Sequence, residues 1–364
     1  MRKHWLDNIR WTIVVLVVFY HVVYMYNAQG ISGGVGKITS LENQWYDMFM
    51  YILYPWFMAL LFIVSGISSR FYLGNHTQKE FVKSRTTKLL VPSTIGLFCF
   101  QFIQGYINMS MPGVFESLPD IPKFVLYLIM CGSGVGVLWY IQLLWIFSIL
   151  LLLVRKIEKN RLWSLCSKVN IWILIVLVVL VWGCAQILNT PIFVVYRFGF
   201  YGIMFLLGYF VFSHEEVIEV LKKWFFLFAA VSIVLCVFFC AAYFGKNCAE
   251  SPINKSPLFV AFSWFTCLAM LGCFSRFFDF ENSFTSWMNR HSWGLYVFHY
   301  LGISAVAVFL GLKGIIPAWS SYLLSLIAGF AGGYLLNAII SRIPFLRWAV
   351  LGIKKPAEVN TLKV

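Results

Sequence analysis

The chain reads as an all-α polytopic membrane bundle of about ten spans, possibly eleven, and three observations carry that reading. Apolar residues make up 61% of the 364 residues and charged ones only 12%, whereas soluble domains carry roughly 25% charged residues. Stretches such as 171–188 and 224–244 are almost uncharged, and about 20 apolar residues in a helix cross a bilayer. The mean hydropathy is +0.81 over the whole chain, too high for the apolar residues to pack inside one water-facing core. A soluble enzyme, a disulfide scaffold and a disordered chain are excluded.

In chain order, the first apolar run, about 11–28, follows Met1–Arg10 without a small-residue cleavage site, so it reads as a retained helix. The second and third, about 48–70 and 87–108, flank the longest inner loop, 71–86. Met111-Pro112-Gly113 and Pro119–Pro122 then break the chain. Lys123–Cys131 reads as a re-entrant or interfacial piece, or as the eleventh span, and Gly132–Gly136 interrupts the apolar pattern before Trp139. Spans at about 134–154, 170–188 and 197–213 follow. His214–Lys223, acidic and then basic, reads as a short interfacial helix. The last spans are about 224–244, 258–276, 292–311 and 319–340. No connection is large enough for a soluble domain, which leaves one membrane-embedded domain over 5–345 and a short basic tail over 346–364.

The net charge of +14 suggests nucleic acid until the charges are placed. With the N-terminus in the cytoplasm, only Lys37, Lys123, Arg197, Lys246, Lys255 and Lys313 fall outside. The other 22 of the 28 Lys and Arg fall on inner segments, which orients both termini to the cytoplasm. The basic excess is therefore topological, and no nucleic-acid partner is expected. The nine cysteines show neither a CxxC pair nor zinc-ligand spacing, so no metal is expected. Cys236 and Cys240 share a helix face and read as packing residues.

An ionisable side chain inside a span is costly and points to function. Arg10 and His21 are eleven positions apart on the first span. At ~100° per residue they lie within ~20° of one face, separated by a rise of ~16 Å. A base half-way across the membrane with a cation at the cytoplasmic mouth suits an anionic, phosphate-bearing substrate. Asp7, three residues before Arg10, is placed either to hold its guanidinium or to sit at the positive end of the helix dipole.

Six segments, in order, resemble the acyltransferase 3 family of integral membrane acyltransferases. They are Leu6-Asp7-x-x-Arg10 with His21, Phe57–Gly66, Phe81–Pro92, Val137–Leu144, Phe205–Tyr209 and Ser292–Tyr300. Val137 stands where the family's fourth segment usually has proline. The resemblance implies transfer of an acyl group, acetyl or succinyl foremost, from cytoplasmic acyl-CoA to a hydroxyl of a glycan, lipid or small molecule. It also implies that Arg10 and His21 are the functional pair, and it suggests the cell envelope and a bacterial cytoplasmic membrane as the setting. In that scheme neutral His21 takes the acceptor hydroxyl's proton, which a side chain with an ordinary pKa near ~6.5 suits. Arg10 meets a CoA phosphate through its guanidinium fork, or the entrance for the pantetheine arm.

Other residues join this expected site. Arg85 and Lys88, three apart, share a face and are expected at CoA phosphates. Trp139 and Tyr140 follow the glycine-rich break and are expected to line the donor cavity. Tyr296 and His299 share a face near the acceptor, and His299 is placed to assist His21. Arg197 sits on the outer side, where topology asks for no cation, and is expected at an anionic acceptor or acyl carboxylate. Glu42 and Asp47 read as solvated loop acids. No carboxylate is placed to orient His21, so its partner must come from another helix. The reading from another class is a transporter or flippase that uses the same Arg/His pair for an anionic lipid or glycan precursor.

Overall fold

A computed structural model describes residues 3–31, 33–111, 115, 121–190 and 194–354. Among these, eight helices are long and apolar enough to cross a membrane, and no strand forms beyond one isolated bridge between Asn189 and Arg197. The eight are α1 (His4–Met25), α2 (Phe57–Asn75, preceded by a short turn of helix from Met48), α3 (Gln78–Met109), α5 (Trp139–Glu158), α8 (Glu215–Tyr243), α9 (Pro257–Phe277), α10 (Ser283–Gly311) and α11 (Ala318–Ile340). Shorter apolar helices are α4 (Lys123–Ser133), α6 (Ile171–Ala185) and α7 (Phe198–Phe210). The all-α polytopic architecture is as expected. The proline breaks at Pro112 and Pro119, and the tail beyond Lys354, lie outside the described residues.

One expected boundary changes, and the alternatives for another segment narrow to the short piece. His214–Lys223 is not a separate interfacial piece, because Glu215–Tyr243 is one continuous helix of 29 residues that carries its acidic first turn at the N-terminal end. The segment Lys123–Ser133 is a helix of 11 residues, about 16 Å long and too short to cross the bilayer. It packs on α3, where Gly105 approaches the Met130 carbonyl closely.

In lipid, helices gain little from apolar transfer, so close van der Waals approach decides which pairs hold. The clearest case is α2 against α7. A Cβ on Gly66 would lie 2.0 Å from the Phe205 carbonyl oxygen, and one on Gly208 would lie 2.1 Å from that of Ile63. The two glycines are reciprocal, each making room for the other helix's backbone. The segments Phe57–Gly66 and Phe205–Tyr209 are thus two halves of one contact.

α1 runs through the interior. Ile9, Ile13, Val17 and Val18 are buried, and the helix packs against α10. Its start is pinned by Asn8, whose side-chain amide donates to the Phe278 and Phe280 carbonyls at 2.7 and 2.9 Å. By contrast α6 and α8 expose Trp172, Val176, Phe226, Ile233 and Val237, the composition of a lipid-facing surface. The arrangement therefore places α1, with Arg10 and His21, between α2 and α10.

Candidate functional site

α1 carries His21 to the point where α10 presents His299. His299 Nε2 lies 3.1 Å from His21 Nδ1. On its other side, His299 Nδ1 lies 3.0 and 2.9 Å from the carbonyl oxygens of Leu295 and Tyr296. Carbonyl oxygens only accept, so Nδ1 carries the hydrogen and Nε2 of the neutral ring accepts. His21 Nδ1 must then be the donor, shared between His299 and the Val17 carbonyl at 2.9 Å. The lone pair of His21 is left on Nε2, which makes no hydrogen bond among the described residues. Tyr20, Tyr24 and Tyr300 surround the ring at centroid distances of 5.3, 5.7 and 5.1 Å. The Tyr300 hydroxyl donates to the Gly33 carbonyl at 2.9 Å, tying the first long loop to this end of α10.

A second cluster lies toward the N-terminal end of α1. Arg10 donates Nη1 to Asp7 Oδ1 at 2.5 Å and Nη2 to the Ser68 hydroxyl. Arg85 donates to the Ser69 hydroxyl at 3.0 Å. Ser68 and Ser69 each donate their own hydrogen to the carbonyl four residues back, at 2.7 and 2.8 Å, and so offer lone pairs to the two guanidinium groups. Ser65, one turn earlier on the same face, meets the Tyr140 hydroxyl at 2.9 Å. Arg10 and Arg85 lie within electrostatic reach of each other and of Tyr140. Asp7 is the one carboxylate paired with either guanidinium among the described residues, so the cluster carries an excess of one positive charge.

Tyr140 joins the two clusters. Its ring lies 6.0 Å from that of Tyr296, which lies 6.4 Å from His299. Tyr296 is buried, and its hydroxyl donates to the Val137 carbonyl at the end of the glycine-rich break. A line of polar groups therefore runs from Arg10 and Arg85 past Tyr140 and Tyr296 to His299 and His21.

The remaining expected residues lie off this line. Lys88 does not share a face with Arg85. The chain over Thr86–Leu90 is a π-helical turn, and closing i to i+5 spreads three positions over less rotation than an α-helix does. Arg85 turns inward to Ser69, whereas Lys88 is exposed and lines a surface groove of about 410 Å³ with Lys83 and Lys354. Trp139 packs against Tyr201 at 5.4 Å. Arg197 is 1% exposed and lies among Tyr201, Phe200 and Phe259. Glu42 is exposed, but Asp47 is not a solvated acid: it is buried and accepts from Ala28 N and from the Gln29 and Gln44 amides, at 3.0, 3.1 and 3.1 Å. The serines were missed, although Ser65, Ser68 and Ser69 at i, i+3 and i+4 in an apolar span were a visible one-face signal.

A family model described as an acyltransferase domain matches residues 3–338. The chain belongs to the acyltransferase 3 family. No curated protein and no solved structure matches it. The matched region contains all six motif segments and both polar clusters. As a member of this family the chain is an integral membrane acyltransferase. The family match says nothing of the donor, the acyl group or the acceptor.

Proposed function

We propose that the protein transfers an acyl group from acyl-CoA, supplied at the cytoplasmic end of α1, to a hydroxyl on a glycan, lipid or small molecule, with His21 Nε2 as the general base. The observation that carries this reading is the histidine pair, in which His299 fixes the tautomer that leaves the His21 Nε2 lone pair available. The acceptor oxygen attacks the thioester carbonyl as His21 Nε2 takes its proton. The C–O bond forms, the C–S bond breaks, and the departing thiolate of CoA receives that proton from His21. Arg10 and Arg85 supply the uncompensated positive charge that a CoA phosphate would neutralise. Arg10 lies ~16 Å from His21 along the helix axis, the separation an extended pantetheine arm would bridge past Tyr140 and Tyr296. The exposed groove with Lys83 and Lys88 suits the adenosine 3′-phosphate on the same helix.

The basic asymmetry supports a cytoplasmic N-terminus, and with it donor entry from the cytoplasm. Acetyl and succinyl are the acyl groups proposed, and the bacterial cytoplasmic membrane is the proposed site of action.

The test is equilibrium binding and thiol release with acetyl-, succinyl- and longer acyl-CoAs, using purified protein in nanodiscs and comparing wild type with His21→Ala. The proposal expects binding to both proteins and His21-dependent release in the presence of a hydroxyl acceptor that takes the acyl group. Absence of both binding and release with every donor would remove acyl-CoA and favour a transporter.

A further inference from the structure

Arg197 is a cation in the wrong place for topology and without a counter-charge among the described residues. It precedes α7, is 1% exposed, and makes no ion pair among the described residues. One nitrogen, Nη2, donates to the Asn254 carbonyl at 2.5 Å. The rings of Phe200, Phe259 and Tyr201 lie 4.3, 5.0 and 5.9 Å from the guanidinium carbon. Those contacts give Arg197 a structural reason to be there, but they account for only part of the group. Nε and Nη1 are buried and have no hydrogen-bond partner among the described residues, and the Tyr201 hydroxyl lies within reach of the guanidinium. A fully buried guanidinium with open donors is costly unless an anion completes it.

A second unpartnered donor lies close by. The Tyr54 hydroxyl is buried, makes no hydrogen bond among the described residues, and is within electrostatic reach of Arg197. Tyr54 also leads back to the histidine pair: its ring stacks on that of Tyr20 at 6.2 Å, and Tyr20 lies 5.3 Å from His21. Two open donors, one in the turn before α2 and one preceding α7, therefore lie within reach of each other, with the Tyr20 ring between Tyr54 and His21.

We propose that Arg197 and the Tyr54 hydroxyl form a carboxylate subsite, separated from His21 by the Tyr20 ring. The guanidinium supplies the charge and the planar donor set that match a carboxylate, and the phenol adds a neutral donor. The assignment rests on the acyl-transfer reading and narrows it: one substrate carries a carboxylate. Either the transferred acyl group bears it at its far end, or the acceptor bears it beside the reacting hydroxyl.

Wild-type protein in nanodiscs distinguishes the two sources by equilibrium binding. In the donor arm, succinyl-CoA is compared with butyryl-CoA, which has the same chain length with a methyl in place of the carboxylate; acetyl-CoA is the reference. In the acceptor arm, methyl glucuronide is compared with methyl glucoside. The subsite predicts a preference for the carboxylate of about tenfold or more in one arm. It predicts loss of that preference in Arg197→Gln and a reduced one in Tyr54→Phe, each read as the ratio of the two affinities within one protein. No preference in either arm, or one that survives both substitutions, overturns the proposal. If Arg197→Gln does not fold, Tyr54→Phe decides, since it removes one unpartnered hydroxyl and no contact. If no acyl-CoA binds at all, the acyl-CoA reading fails by itself and the glucuronide arm alone decides the subsite.

Discussion

His299 Nε2 faces His21 Nδ1 at 3.1 Å, so a residue on α10 decides which nitrogen of the α1 histidine carries the free lone pair. His299 is a positioning residue in this account, and the pairing separates its role from mere packing. His299→Ala leaves the His21 hydrogen without its side-chain acceptor and lets the ring change tautomer. Activity is expected to fall at least about tenfold and by no more than the full ~10²–10⁴ that a general base contributes. His299→Gln, which can offer an amide oxygen, is expected to recover part of the loss. Protonating His21 Nε2 removes the base, so the rate falls toward acid, and His299→Ala is expected to move the midpoint of that acid limb. Steady-state rates against pH for the three proteins check this; an unshifted limb with equal losses in both variants would make His299 structural only.

The two basic sets make different predictions. Arg10→Ala or Arg85→Ala removes a charge-assisted contact worth ~1.5–3 kcal/mol, so the donor KM is expected to rise by ~10–100-fold with a smaller change in kcat. Lys88→Ala is expected to weaken acetyl-CoA and leave acetyl-dephospho-CoA unchanged, because its groove is assigned to the 3′-phosphate. Initial rates with both donors separate the sets. Equal effects of Lys88→Ala on both donors would contradict the assignment.

Helix approach at Gly66 and Gly208 is predicted to be intolerant of a single methyl. A Cβ at either position meets a backbone carbonyl, which cannot swing aside as a side chain can. Gly66→Ala and Gly208→Ala are expected to cost at least the ~1–3 kcal/mol typical of overpacking. Gly74→Ala, with nothing within 4 Å of the added carbon, is the control. Thermal unfolding in detergent reads the difference, and equal melting temperatures for all three would contradict the close contact.

Cys248 lies outside the helices yet is buried, and burial pushes its thiol up to about 12. The thiolate is the nucleophile, so reactivity lost by raising the pKa returns only as pH approaches 12. In a variant that keeps Cys248 alone, maleimide labelling at pH 8 is expected to be at least ~10²-fold slower than for an exposed thiol and to recover on denaturation. Fast labelling of the folded protein would show that the loop over Tyr51 and Tyr54 opens.

The parts of the site that lie on one helix were legible before the structure. Arg10 and His21 share a face because eleven residues are close to three turns, and Asp7 pairs with Arg10 for the same periodic reason. Contacts between helices were not legible in the same way. His299 was a suggestion from its own helix face, and only the packing of α10 on α1 turns it into the residue that orients His21. Arg85 and Lys88 share a face only in an α-helical period, and the turn over Thr86–Leu90 is wider. Asp47 misled because loop acids are usually solvated, whereas this one is the buried hub of hydrogen bonds to Ala28, Gln29 and Gln44.

The most direct test of the central claim follows an acyl label. Proteoliposomes are given acyl-labelled CoA on the side of the N-terminus, and released thiol and labelled hydroxyl ester are both counted. The account predicts one thiol for each ester formed in wild type and neither in His21→Ala. Equal ester formation in His21→Ala, or label that crosses the membrane as intact thioester, would contradict it.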